Sequence, residues 1–205
     1  VNRPVPPASL WTPIEGGVTE LADDVEPWVR ATFLDDGATV ENPEHEHLRQ
    51  AEIGFVWTNQ PNERKGRTVL GTCQLLPPSG EKWSAARAIQ QLQDWFFIVP
   101  DFLITLYAPA CAEMDDASFM ALVEHELLHA AQKRDNYGAP MFNRETGKPV
   151  WALRGHDVEQ FVSVVRRYGA DAAGVREMVD AANSGPEIAP ARVSIACGNC
   201  LRLVS

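Results

Sequence analysis

Ile53, Phe55 and Trp57 recur at every second position of AEIGFVWTN (51–59), the period of a β-strand. The polar stretch QPNERKG that follows reads as a turn or hairpin loop, and RTVLGTCQLL (67–76) as a second strand stopped by PPSGEK. Between residues 83 and 96 the period lengthens. Trp83, Ala86, Ile89, Leu92 and Phe96 fall at helical spacing, which predicts an amphipathic helix. DFLITLYAPA (101–110) predicts a third strand. DDASFMALVEHELLHAAQ (115–132) predicts a helix with no internal Gly or Pro, opened by Asp115 and Asp116 as N-cap residues. NYGAPMFNRETGKP (136–149) is a loop. HDVEQFVSVVRRYG (156–169) reads as a helix closed by Gly169, and 172–185 as another. VEPWVRATFL (25–34) is a short helix, and DDGATVENPEHEH (35–47) a polar loop.

The order strand, strand, helix, strand, helix, helix, helix predicts an α+β domain over residues 25–185, a small sheet with helices packed on it. Residues 1–24 are Pro-rich and read as an arm. Residues 186–205 read as a tail holding a strand, ARVSIA, and the pair Cys197 and Cys200.

A chain of 205 residues that is 45% apolar is long enough for one real core. Its net charge of −10 argues against nucleic acid or an anionic membrane as the main partner. No apolar run approaches the roughly 20 residues of a membrane span. The first residues lack the layout of a signal peptide, and four cysteines are too few for a disulfide scaffold. The expectation is a soluble cytoplasmic protein; oligomeric state is not readable.

ALVEHELLHAAQ (121–132) carries the chemistry. His125 and His129 stand four apart, so a helix sets both on one face, able to aim at one metal ion. Glu126 lies about 100° round the helix from His125. It is poorly set to ligate but well set to reach a water on the metal, the logic of H-E-x-x-H. The flanking Phe119, Met120, Val123, Leu127, Leu128 and Ala131 make this a mostly buried helix. Two imidazoles and a carboxylate buried there without a partner would cost several kcal/mol, which a metal removes. A catalytic zinc takes three protein ligands and leaves a position for water. His156, 27 residues beyond His129, is one candidate for the third. Glu159 would give a His/His/Glu set. Asp135 has the spacing of the H-E-x-x-H-x-x-G-x-x-H/D peptidases, but Gln132 stands where that turn needs glycine. Imidazole is the commoner zinc ligand, which favours His156. Asp157 and Glu159 are nearby carboxylates that could orient a ligand histidine.

LVEHELLHAAQ followed at this distance by GHDVEQFVSVVRRYG resembles the phage-encoded metallopeptidases, a zincin-like family with an H-E-x-x-H helix and a later H-D-x-E-x-F helix. The resemblance covers roughly residues 51–169. It implies a zincin-like fold, one zinc per chain, a peptide or protein substrate and, for a phage-encoded protein, the host cytoplasm. It also implies that strand 101–110 is an edge strand beside the active helix, open to an extended peptide.

Other signals are weaker. His45 and His47 in the polar loop read as solvated. Cys73 and Cys111 read as buried inert thiols, and Cys197 with Cys200 as half a zinc site or a redox pair. Arg166 or Arg167 could steady a substrate carboxylate or oxyanion, and Tyr107, Tyr137 and Tyr168 are the tyrosines available for an oxyanion. The function this predicts is a zinc-dependent peptidase with Glu126 as general base. A non-enzymatic metal-bearing interaction module and a metal-dependent amidase are the rivals. An intact Glu126 counts against the module, because binding needs no base.

Overall fold

The structure, a computed structural model, describes residues 2–64, 67–158, 160–171 and 174–191. Its elements in chain order are β1 (Thr19–Leu21), α1 (Val25–Val29), β2 (Ile53–Thr58), β3 (Glu63–Arg64), β4 (Arg67–Thr68), β5 (Gly71–Leu75), α2 (Lys82–Phe96), β6 (Phe102–Tyr107), α3 (Ala108–Glu113), α4 (Asp116–His129), β7 (Ala130–Gln132), β8 (Trp151–Leu153), α5 (Val162–Tyr168) and α6 (Arg176–Ser184). A 3-10 turn, Pro43–Gln50, lies between α1 and β2. This is the α+β architecture expected, with a small mixed sheet.

The sheet runs β1-β2-β6-β5. β2 and β6 are parallel from Ile53↔Phe102 to Thr58↔Tyr107. β1 joins β2 and β5 joins β6, both antiparallel. Strand 101–110 is therefore not at the edge. β6 is hydrogen-bonded on both sides, and β5, which precedes it in the chain, adds on its outer side and becomes the edge strand.

Side chains of a strand alternate between faces. Ile53, Phe55 and Trp57 of β2, with Phe102, Ile104 and Leu106 of β6, join one core with α1, α3 and α4. Phe119 of α4 is its keystone: its ring centroid lies 5.3 Å from Trp28 and 6.0 Å from Trp57. α2 lies across the other face. A Cβ on Gly54 would stand 2.8 Å from Phe96 Cζ, so the missing side chain lets α2 approach β2. Of the predicted apolar stripe on α2, Leu92 is buried but Trp83 is 78% exposed. The short β5 reaches only part of the helix, and a cavity of about 620 Å³ lined by Thr72, Gln74, Leu92 and Trp95 remains between them.

The Pro-rich segment, read as an arm, packs on the domain. Leu10 is fully buried, and β1 pairs Thr19 with Thr58. Arg3 donates to the carbonyls of Cys111 and Met114 at 3.2 and 2.6 Å, and its guanidinium lies 5.3 Å from the Phe119 ring centroid. The loop 35–47 also departs from expectation. Asn42 caps the 3-10 turn by accepting the Glu44 N–H at 2.9 Å. Residues three apart eclipse in such a turn, and His45 and Leu48 both face inward, His45 being 1% exposed. It is buried, not solvated. Residues 130–153 form a hairpin, with β7 pairing β8 and looser bridges Arg134↔Pro140 and Phe142↔Pro149 beyond. α5 begins at Val162, so His156 precedes the helix rather than opening it.

Candidate metal centre

α4 is set by its cap and its stripe. Asp115 accepts the Ser118 N–H at 2.7 Å, satisfying one of the free donors of the first turn. Phe119, Leu122, Val123, Glu126, Leu127 and Ala130 recur at 3.6-residue spacing and are all buried. Glu126 thus belongs to the core-facing stripe, although it is a carboxylate, and is 0% exposed. It lies against β5. A Cβ built on Gly71 would come within 2.8 Å of Glu126 Oε1, 3.0 Å of its Cγ and 3.1 Å of its Cδ. The space of an absent side chain receives the glutamate arm. Cys73, also buried, sits close enough that burial first and then the Glu126 charge push its thiol well up.

His125 and His129 flank that stripe, and His156 meets them from the segment after β8. Nε2 of His125 stands 3.3 Å from Nε2 of His129 and 3.3 Å from Nε2 of His156. The three ligand nitrogens all lie within 4.8 Å of one another. Ligands of a tetrahedral zinc with bonds of about 2.0–2.1 Å stand roughly 3.3–3.4 Å apart, so the spacing fits that ion. His129 Nδ1–H donates to the Arg154 carbonyl at 2.7 Å, a bond that turns its Nε2 lone pair toward the other rings. Burial, and next the neighbouring His129 and His156, push His125 down to about 4. Burial lowers His129 as well, against the pull of its bond to Arg154. Both rings are therefore neutral at pH 7, the form that binds metal.

The remaining candidates fall elsewhere. Asp135 Oδ1 accepts the Tyr137 and Ala139 N–H groups at 2.8 and 2.9 Å, closing a turn of the hairpin. Glu159, Cys197 and Cys200 lie outside the described residues. Asp157 does not touch a ligand ring in the bonds described but receives Arg154 Nη2 at 2.7 Å. Cys73 and Cys111 are buried thiols, as expected, and burial raises the Cys111 thiol to about 12. Tyr107 is buried at the end of β6, whereas Tyr137 and Tyr168 are exposed on the hairpin and α5. Arg166 lines an apolar cavity between α5 and α6. His47 Nε2–H donates to the carbonyl of Ala130, the residue after His129, at 2.9 Å.

Two residues of this neighbourhood escaped the sequence reading. Gly71 carried a usable signal, since an isolated glycine inside a strand marks a close approach. Arg154 carried none.

Three converging imidazoles, with a buried carboxylate next in sequence to one of them, form a group that could hold a metal ion. Residues 26–183 match the family model described as "Putative phage metallopeptidase", and the chain belongs to that family. The family implies a metal and a peptide or protein substrate. No curated protein and no solved structure matches the chain. No helix among the described residues is long and apolar enough to cross a membrane.

Proposed function

We propose that the protein is a zinc-dependent peptidase on a zincin-like scaffold, with one zinc per chain held by His125, His129 and His156. The observation that carries this reading is the pair of 3.3 Å separations between imidazole nitrogens, which a tetrahedral zinc fits. Bound there, the ion supplies Lewis acidity toward a peptide carbonyl and acidifies a water. Glu126 is the general base. Its carboxylate takes a proton as the water oxygen attacks the carbonyl carbon, then returns it to the amine nitrogen as the C–N bond breaks. That carboxylate is buried and occupies the space beside Gly71. β5, the edge strand beside Glu126, is the strand along which an extended peptide would pair.

The test is Glu126→Gln, which keeps size but removes the base. Zinc content and fold should be retained while peptide cleavage falls by about 10²–10⁴-fold. A zinc-loaded wild-type protein that cleaves nothing in a broad peptide library, and whose partner binding is untouched by Glu126→Gln, would replace the peptidase with an interaction module.

A further inference from the structure

His156 has the least architectural support of the three imidazoles. His125 and His129 ride on α4, but residues 154–158 form neither helix nor strand, and Gly155, His156 and Asp157 are all exposed. A ligand needs a supporting shell to hold its geometry. Arg154 provides four contacts around it. Its N–H donates to the His129 carbonyl at 2.9 Å, and its own carbonyl accepts His129 Nδ1–H at 2.7 Å. Its guanidinium donates from Nη1 to Glu44 Oε2 at 2.8 Å and from Nη2 to Asp157 Oδ1 at 2.7 Å. The start of the loop is thereby tied to one ligand, and its far side, immediately after His156, is tied to the same guanidinium.

Glu44 comes from 110 residues away in the chain. It rides on the 3-10 turn Pro43–Gln50, which is itself fastened to the metal helix. Asn42 Nδ2 donates to Glu124 Oε1 of α4 at 2.9 Å, and His47 holds the Ala130 carbonyl. The anchor is therefore tied to α4 and to the residue that follows it.

We propose that Glu44, Arg154 and Asp157 are positioning residues that clamp the His156 loop against α4. The planar guanidinium lies between two carboxylates and sets the height and turn of the loop, which a flexible ammonium could not do. Exposed ion pairs contribute little to folding, so the effect falls on ligand geometry rather than on the stability of the domain. The inference rests on the triad being the metal centre.

The experiment compares wild type with the Glu44→Gln/Asp157→Asn double variant, which leaves the Arg154 backbone contacts intact. Zinc affinity, read by competition with a chromophoric chelator, should weaken about 10–100-fold, as for other outer partners of metal ligands. The cobalt-loaded protein should lose intensity in its tetrahedral visible bands. The Tm of the metal-free protein should move by no more than about 4 °C. Glu44→Asp, which keeps the charge, should retain more affinity than Glu44→Gln. Zinc affinity in the double variant equal to wild type overturns the clamp. If wild type binds zinc no better than His125→Ala, the metal centre itself fails. Amide hydrogen exchange in the metal-free protein then decides the clamp: residues 155–158 should exchange faster in the double variant, and equal rates overturn it.

Discussion

At residue 71 the strand beside the metal helix carries no side chain, and the arm of Glu126 fills that space. Gly71→Ala would press a methyl group against Oε1, Cγ and Cδ together. The buried carboxylate has to shift, and a misplacement near 1 Å costs on the order of 10²-fold in rate. Zinc content should stay at the wild-type level, since the nearest atoms to that methyl group all belong to Glu126 rather than to a histidine. Steady-state kinetics with metal analysis checks this, and an unchanged kcat would deny the packing a role. The histidines set a pH dependence at the same scale. Folding lowers His125, His129 and His47 below the ordinary value of 6.5, with burial the largest cause for each. Between that value and the lowered ones, the unfolded chain holds protons that the fold does not. Stability of the metal-free protein is therefore full above about pH 6.5 and falls as the pH drops toward 4. Urea midpoints measured across this range should decrease with acid; a midpoint that rises between pH 6.5 and 5 contradicts the assignment.

Among the elements, α4 combines core and chemistry. Its stripe from Phe119 to Leu127 lies against β5 and joins the core that β2 and β6 line, while His125 and His129 turn toward the His156 loop. Its register depends on its first turn. Asp115→Ala removes the acceptor for the Ser118 N–H and should lower stability by about 1 kcal/mol, visible as a lower urea midpoint with an unchanged slope; an unchanged midpoint would show that the cap is idle. β2 was legible from its alternation, α2 from its helical spacing, and α4 from its N-cap and its freedom from Gly and Pro. α5 was legible at its Gly169 end but not at its start: 156–161 reads as helix, yet the helix begins at Val162, and Asp157 is drawn to Arg154. The buried face of the 3-10 turn was hidden as well. Its polar composition reads as loop, and only the eclipsing of His45 with Leu48 turns the histidine inward.

Across the whole molecule, what could not be read was long-range pairing. Nothing local in RTVLGTCQLL or DFLITLYAPA says which of them takes the sheet edge; the parallel pairing of β6 with β2 decides it. Nothing local in a proline-rich start says that Leu10 and Arg3 close over the core and the start of α4. The candidate metal site was more legible, because His125 and His129 share one helical turn and a catalytic zinc would take a third protein ligand. That third ligand is the joint between the helix and the loop after the hairpin, so it carries the account. Elemental analysis of purified wild-type and His156→Ala proteins is the direct measurement. A three-histidine centre holds about one zinc per wild-type chain, and His156→Ala should lose it or hold it far more weakly. Full zinc retention in His156→Ala would contradict the three-histidine centre.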